Sequence, residues 1–274
     1  MRAITGFVGV LAIMLLAACE QPDEQAILEA TPPQDIFAQA EGELNEGRNF
    51  NAGELFGEVE RLYPYSEWAR RAIIMSSFAY YQAAEFERSQ AAARRFLEFY
   101  PNDEDAPYAQ YLIALAYYDQ ITDVGRDQQA TLNALQALRE VIERFPGSAY
   151  ARDSELKFDL AMDHLAGKEM EIGRYYLKRG QYMAAINRFQ TVIDDFQTTT
   201  HVEEALHRMV EAYLALGLDE EAGKAAALLG YNSPGSDWYE NTYTLMQTQG
   251  TSNGTEDRSF FRSIWSQVIR GRWL

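Results

Sequence analysis

The sequence predicts an all-α fold, arranged as a solenoid of about five helix-turn-helix repeats. An aromatic residue followed by proline closes three apolar segments, at positions 63, 100 and 145. Small or apolar residues stand 12, 8 and 5 positions before each of these prolines, a spacing that places them on one helix face. The three sets are Ala52, Phe56 and Val59, then Ser89, Ala93 and Phe96, and then Ala134, Leu138 and Val141.

Two further copies follow, so chance periodicity is a poor explanation. The fourth runs from residue 180 to residue 192 and has Gln197 where proline would stand, and the fifth is marked by Gly217, Ala222, Ala226 and Leu229. The pattern resembles the tetratricopeptide repeat, in which a small residue of the second helix lets the first helix approach closely. The first helix of the repeat is indicated by Gly173, Tyr176, Tyr80 and Tyr213.

The repeat spacing is irregular, because 37 residues separate Pro64 from Pro101 and 45 separate Pro101 from Pro146. Extra polar residues between 119 and 127 predict a loop, which is either a plain linker or part of a binding face. We therefore divide the chain into four parts: a signal peptide at 1–18, a tether at 19–33, the solenoid at 34–230 and an extension at 231–274. Weak order is expected in the tether and around residues 248–257.

Cys19 is the only cysteine, and it follows an 11-residue apolar core and two small residues. This arrangement closely resembles a bacterial lipoprotein signal, in which the thiol is acylated and the chain is cut before the cysteine. A transmembrane helix is the alternative, but 17 residues fall short of the roughly 20 needed to span hydrocarbon. Glu20 is not the aspartate that resembles an inner-membrane retention signal, so the outer membrane is the expected address.

The composition excludes several classes of function. The chain has 24 basic and 41 acidic residues, net charge −17, so a nucleic-acid partner is not expected. Acylation of Cys19 would leave no thiol for a disulfide or a metal site. The three histidines, His164, His201 and His207, are interpreted as structural, and no nucleotide-binding or hydrolase motif is found. We expect no cofactor, no metal and no enzyme activity.

Three segments carry a resemblance to the BamD family of outer membrane protein assembly lipoproteins. They span residues 119–127, 145–153 and 173–189, the last being the most specific. The resemblance implies a periplasmic scaffold of the machine that folds β-barrels into the outer membrane. Its amino-terminal repeats would receive the carboxy-terminal signal of unfolded outer membrane proteins, and its carboxy-terminal repeats would dock the periplasmic domains of BamA. Other Bam lipoproteins are further expected partners.

The resemblance and the aromatic residues suggest particular contacts. Arg188, beside Asn187, matches the pair that the family links to BamA; the alternative is an exposed arginine paired with an acid such as Asp194. An extended apolar peptide fits a groove with aromatic pockets. The groove candidates are Tyr63, Tyr65, Trp68, Tyr80 and Tyr81, with core packing favoured for Tyr80.

The last sixteen residues are basic and aromatic in an otherwise acidic chain. The apolar residues Phe261, Ile264, Trp265 and Val268 fall on one face of a predicted helix. Such a helix could dock another Bam subunit, fold back on the solenoid or lie on a membrane, and we favour docking on protein.

Two other functions are alternatives to the scaffold interpretation. A tetratricopeptide lipoprotein that pilots a secretin or pilus component would combine the same acylated cysteine with the same repeats. A peptidoglycan hydrolase is opposed by the missing acid, base and metal constellations. The scaffold interpretation is favoured by the segment from Tyr175 to Arg188.

Overall fold

A computed structural model describes residues 24–122 and 128–250, which form twelve α-helices. They are α1 (Glu24–Ala30), α2 (Pro33–Asn45), α3 (Asn49–Leu62), α4 (Glu67–Gln82), α5 (Phe86–Phe99), α6 (Ala106–Tyr118), α7 (Gln129–Arg144), α8 (Ala149–Lys178), α9 (Tyr182–Asp195), α10 (Val202–Ala215), α11 (Asp219–Asn232) and α12 (Asp237–Gly250).

Five helix hairpins form the body of the chain. They pair α2 with α3, α4 with α5, α6 with α7, α8 with α9 and α10 with α11, and each packs on the next hairpin. We call the first helix of each hairpin the A-helix and the second the B-helix. The predicted all-α architecture of five repeats is therefore confirmed.

The predicted helix face is the buried one. All nine residues that the proline spacing selects have no exposed surface, and their counterparts on α9 and α11 are at most 1 % exposed. Each B-helix thus buries three residues at positions i, i+4 and i+7, which we call the B-helix triad. The last two triads are Ala185, Phe189 and Val192, and Ala222, Ala226 and Leu229.

The turns between the A- and B-helices of the first, second, fourth and fifth repeats share one backbone conformation. Gly47, Gly180 and Gly217 have φ values of 76°, 69° and 71°, in the region that glycine adopts without steric cost. Ala84 takes the same place in the second repeat with φ of 59°. The second repeat therefore contains a Cβ where the first, fourth and fifth have none.

The boundaries between repeats do not depend on proline. Tyr63, Tyr100 and Phe145 follow their B-helices with φ near −130°, at −130°, −131° and −128°. Phe196 has φ of −127° although Gln197 follows it. A residue with φ near −130° and ψ between 42° and 56° at the end of the B-helix, rather than the proline, is what these four repeats share.

The longest departure from a regular repeat lies in α8. This helix has 30 residues, whereas α2, α4, α6 and α10 have 13, 16, 13 and 14. Its first half packs on α6 and α7, and its second half on α9 and α10. The expected loop lies between α6 and α7, with residues 123–127 outside the described part.

Both ends of the solenoid carry a helix beyond the predicted limits. α1 lies within the stretch expected to be a tether; Leu28 packs on the first core cluster, and the Tyr63 hydroxyl donates to the Thr31 carbonyl at 2.7 Å. α12 lies beyond residue 230 and packs on α10 and α11. The residues before it, Ser233-Pro234-Gly235-Ser236, share Pro-Gly-Ser with residues 145–148, which precede α8. This similarity is a sequence signal for a further helix that the repeat pattern alone does not predict.

Candidate partner-binding surfaces

A cleft lies where the first repeat meets the second, and we call it the amino-terminal cleft. Tyr65 stands fully exposed between its two sides. Phe99 is 60 % exposed on the same cleft, next to Tyr100. The remaining lining residues are Gly57, Glu60, Arg61, Pro64, Ile73 and Arg95 on one side, and Ser66, Glu67, Trp68, Arg70 and Arg71 on the other.

Four arginines border this cleft in an acidic protein. Three are paired: Arg61 with Glu58 at 2.6 Å, Arg70 with Asp103 at 2.8 Å and Arg95 with Glu60 at 2.9 Å. Arg71 instead lies over the rings of Phe37 and Trp68, at 5.0 and 5.4 Å from their centroids. Within residues 24–122 and 128–250 it has no carboxylate within ion-pair distance.

The structure brings two of the groove candidates together. Trp68 lies on one side of the cleft, and Tyr65 borders that side too. Tyr63 turns inward and packs with the first core cluster. Tyr81 lies near the other end of α4, about 20 Å from Trp68 at about 1.5 Å per residue, and donates to the carboxylate of Asp119.

Tyr80, for which core packing is favoured, packs against the backbone of the preceding B-helix. A Cβ atom built on Gly53 would lie 2.7 Å from its ring. Its hydroxyl donates to Glu54, and burial raises the pKa of Tyr80 to about 12. The ring therefore sets the spacing between α3 and α4.

A row of tyrosines on consecutive A-helices was not anticipated from the sequence. Tyr111 donates to the carboxylate of Asp153, which Lys157 also contacts at 2.7 Å. The Tyr150 ring lies 5.3 Å from the rings of both Tyr108 and Tyr111. Tyr108 and Tyr111, three residues apart and so on one face of α6, are the sequence signal for such a row.

The surroundings of these tyrosines shift the pKa values of two phenols and one carboxyl group. Burial raises the pKa of the Tyr108 phenol to about 12, and burial followed by the hydrogen bond to Asp153 raises the pKa of the Tyr111 phenol. The Lys157 ammonium, followed by the Tyr111 hydroxyl, lowers the pKa of Asp153. Tyr111 is therefore a neutral donor held against the ionised carboxylate of Asp153.

Arg188 lies on α9 with Asn187 exposed beside it. Its Nη1 atom is 3.0 Å from Oε2 of Glu169 on α8, and the Arg188 side chain remains 43 % exposed. The suggested partner Asp194 instead accepts from Gln190 at 2.7 Å. Arg188 therefore forms an ion pair, as the alternative interpretation expects, but the acid is Glu169 rather than Asp194.

The histidines take structural places. His207 is buried, with Nδ1 2.7 Å from the Thr242 hydroxyl on α12 and its ring 5.2 Å from that of Trp238. Among the described residues no group of histidines and acids could hold a metal ion. No helix of the described ranges is long and apolar enough to cross a bilayer. Cys19 and the tail candidates Phe261, Ile264, Trp265 and Val268 lie outside those ranges.

Taken with these surfaces, the fold defines a helical-repeat protein whose described residues show no recognisable reaction centre. A family model described as "YfiO: Outer membrane lipoprotein" matches residues 29–228. The chain belongs to this family, the BamD outer membrane protein assembly factors, which are non-catalytic. The pilotin interpretation is accordingly set aside.

Relatives in three bacteria support the assignment, and each is named outer membrane protein assembly factor BamD. The protein of Caulobacter vibrioides is 45 % identical over 93 % of this chain and 84 % of its own. That of Rickettsia prowazekii is 41 % identical over 85 % and 93 %, and that of Neisseria meningitidis serogroup A is 34 % identical over 74 % and 80 %. A solved tetratricopeptide protein of Thermus thermophilus is 16 % identical with a TM-score of 0.36, too low to add to the description.

Proposed function

We propose that the chain is the scaffold subunit of the β-barrel assembly (Bam) complex that holds BamA at its carboxy-terminal repeats. At its amino-terminal repeats it holds unfolded outer membrane proteins. The observation that carries the proposal is the position of two unlike surfaces on different repeats. The aromatic, arginine-bordered cleft lies between α3, α4 and α5, and Arg188 lies on α9.

The amino-terminal cleft suits the end of an extended apolar peptide. Tyr65 and Phe99 offer exposed rings that can pack on an aromatic side chain. The guanidinium of Arg71 can donate two parallel hydrogen bonds to a terminal carboxylate. The three neighbouring arginines each pair with an acid, so Arg71 is the arginine of the cleft that has no ion pair among the described residues.

The surface around Arg188 suits an acidic or amide-bearing partner. The guanidinium is held by Glu169, whose side chain is only 18 % exposed, and it keeps an outward face. A partner carboxylate can bind that face without breaking the existing pair, because guanidinium presents five donors. Asn187, one residue earlier and exposed, can add a neutral hydrogen bond.

The amino terminus would hold this scaffold at the periplasmic face of the outer membrane. Acyl groups on Cys19 would supply the anchor, since stable attachment takes more than one chain. The short stretch before α2 keeps the repeats close to the bilayer, where other Bam lipoproteins would also be anchored.

The BamA contact is tested with two arginines in matched settings. The Arg188–Glu169 and Arg95–Glu60 pairs have the same side-chain exposures, 43 % and 18 %, and similar lengths of 3.0 and 2.9 Å. We expect Arg188→Leu to weaken binding to the periplasmic domains of BamA by about tenfold or more, as removal of an interface arginine often does. Arg95→Leu should leave that affinity unchanged. Equal losses in both variants would refute the assignment.

The substrate contact is tested with a labelled peptide that ends in an aromatic residue. Tyr65→Ala should weaken binding of this peptide, measured by fluorescence anisotropy, whereas Tyr231→Ala serves as the control because Tyr231 is exposed on a distant helix. Amidation of the peptide's carboxy terminus should weaken binding to the native chain but not further to an Arg71→Gln variant. Unchanged affinity in Tyr65→Ala would remove the cleft from the proposal.

A further inference from the structure

α4 is covered on one side by the two helices that follow it. Ile73 and Ile74 pack in one cluster with apolar residues of α5 and α6. The Ser77 hydroxyl donates to the Ser89 carbonyl of α5 at 2.9 Å. Counted from Ser66, whose hydroxyl caps α4, the three residues stand at positions seven, eight and eleven, and none of them is more than 6 % exposed.

α8 begins in the same way, but its corresponding residues are uncovered. The Ser148 hydroxyl caps it by accepting from a backbone N–H of the first turn at 2.9 Å. Seven, eight and eleven residues after Ser148 stand Glu155, Leu156 and Asp159, and all three are exposed, Leu156 by 66 %. Leu160, one residue further on, is 61 % exposed. We call these four exposed residues the α8 face.

The extra length of α8 leaves this face open. α9 and α10, the helices that would cover it as α5 and α6 cover α4, pack on the second half of α8. The turn before α10 lies beside Asp163, whose carboxylate accepts from the N–H and the hydroxyl of Thr200 at 3.1 and 2.8 Å. From Ala149 to Asp163 the helix is about 21 Å long at about 1.5 Å per residue, so a partner helix of about four turns has room there.

The α8 face is acidic, and the described chain does not neutralise it. Glu155 and Asp159 have no lysine or arginine within ion-pair distance in residues 24–122 and 128–250. The two cations in this part of the helix are engaged elsewhere. Lys157 pairs with Asp153 at 2.7 Å, and Arg152 donates to a backbone carbonyl at 3.4 Å. The face therefore combines two exposed leucines with two unpaired carboxylates.

We propose that the α8 face docks a basic amphipathic helix of another protein. Glu155 and Asp159 are about one helical turn apart, and so are Leu156 and Leu160. The matching helix therefore presents lysine or arginine one turn apart, beside an apolar stripe of the same spacing. This surface is separate from the amino-terminal cleft and from the surface around Arg188, so it gives the scaffold a third binding surface.

The charge of the face selects its partner. A second copy of the chain does not suit it, because a symmetric contact through α8 would bring Glu155 and Asp159 of one copy against the same carboxylates of the other. The net charge of −17 adds to that repulsion. A basic helix instead turns both carboxylates into attractive pairs, while the two leucines leave water on its apolar side.

Site-directed photo-cross-linking of the full chain in its native membranes tests the proposal. A benzophenone amino acid replaces Leu156 in one variant and, as the control, Leu132, which is 51 % exposed on α7. We expect the Leu156 variant to form an adduct with another protein. Mass spectrometry of the cross-linked peptide should show a segment with lysine or arginine three or four positions apart beside apolar residues. The Leu132 variant should not form this adduct.

Charge reversal tests the role of the two acids in the same assay. Glu155→Lys combined with Asp159→Lys should lower the yield of the adduct about tenfold, because two attractive pairs become repulsive. Glu87→Lys combined with Glu98→Lys changes the net charge equally on exposed residues of α5, and should leave the yield unchanged. None of these four acids has an ion pair among the described residues, so both variants should keep the thermal melt of the native chain.

Other occupants of the face give different adducts, and each would overturn the proposal. A cross-link to residues 123–127 or 251–274 of the same chain would mean that the face is covered from within. A cross-link to a second copy would mark a dimer contact, and a lipid adduct would mark a membrane surface. The absence of an adduct from the Leu156 variant, a cross-linked segment without basic residues, or equal yields in the two charge variants would likewise refute it.

Discussion

Gly173 of α8 lies directly against the ring of Phe189 on α9. A Cβ atom at Gly173 would stand 2.4 Å from Cε1 of that ring, closer than real atoms approach. Both residues are buried, so the ring has little room to move. The glycine therefore allows the A- and B-helices of the fourth repeat to come together.

We expect Gly173→Ala to lower the free energy of unfolding by about 1–3 kcal/mol through overpacking, measured by urea denaturation. Gly42→Ala is the control, because a Cβ atom at Gly42 meets nothing within 4 Å. It should raise stability by up to about 1 kcal/mol, since alanine favours helix over glycine. A neutral Gly173→Ala would show that the fourth repeat adjusts its spacing freely.

Ala84→Gly is expected to stabilise the second repeat. Ala84 has φ of 59°, which costs an L-residue about 1–2 kcal/mol, and glycine removes most of that cost. A net gain of about 0.5–1 kcal/mol should appear in the same urea assay. Ala83→Gly, one residue earlier with φ of −83°, should instead destabilise the chain.

Thr242→Val should loosen α12. The Thr242 hydroxyl donates to the Trp238 carbonyl at 2.8 Å, so its contact with Nδ1 of buried His207 is satisfied when the imidazole donates. Loss of the acceptor leaves a buried N–H unpaired, at a cost of about 1–3 kcal/mol. Limited proteolysis after α11 should accelerate. Thr244→Val removes only a bond to the carbonyl four residues earlier, on an exposed face, and should have no such effect.

The stability contributed by Asp153 should depend on pH. Its pKa is lowered by the Lys157 ammonium and the Tyr111 hydroxyl, so its stabilising contribution is present above the unfolded pKa of about 4 and is lost as pH falls through the folded value. Asp153→Asn should therefore cost below about 1 kcal/mol at pH 7, because the pair is partly exposed, and less at pH 3. Urea midpoints at the two pH values measure this. A difference that does not change with pH would contradict it.

Cys19→Ala should release the chain from the membrane without unfolding it. The proposed acyl anchor would depend on the Cys19 thiol, whereas the buried core of the described residues begins at Ile36. Fractionation of cells should move the variant to the soluble periplasm with an unchanged thermal melt. Retention in the outer membrane would mean that protein partners hold it there.

The repeats were predictable from the sequence because their signal is local. A triad at i, i+4 and i+7 lies within two turns of one helix, so it can be counted without any knowledge of the neighbours. The same local signal does not need the proline, because α9 ends at Asp195 and Phe196 takes φ of −127° although Gln197 follows it. The helix α12 was missed because Ser233 stands where the other repeats have an aromatic residue.

The contacts between repeats were not predictable, because they join residues far apart in the chain. Tyr81 meets Asp119, 38 positions later, and Tyr111 meets Asp153, 42 positions later. Asp194 is close to Arg188 in the sequence, but two side chains six positions apart on a helix point in different directions. The partner that the fold supplies is Glu169 on the adjacent helix.

The 30-residue helix α8 gives the scaffold a fixed length. At about 1.5 Å per residue it is a rod of about 45 Å that is packed into the early repeats at one end and the late repeats at the other. A flexible joint at this point would let the two halves of the chain move relative to each other. A continuous rod instead holds the third repeat at a set distance and angle from the fourth, and with them the cleft at Tyr65 and the surface at Arg188 that we propose as binding sites.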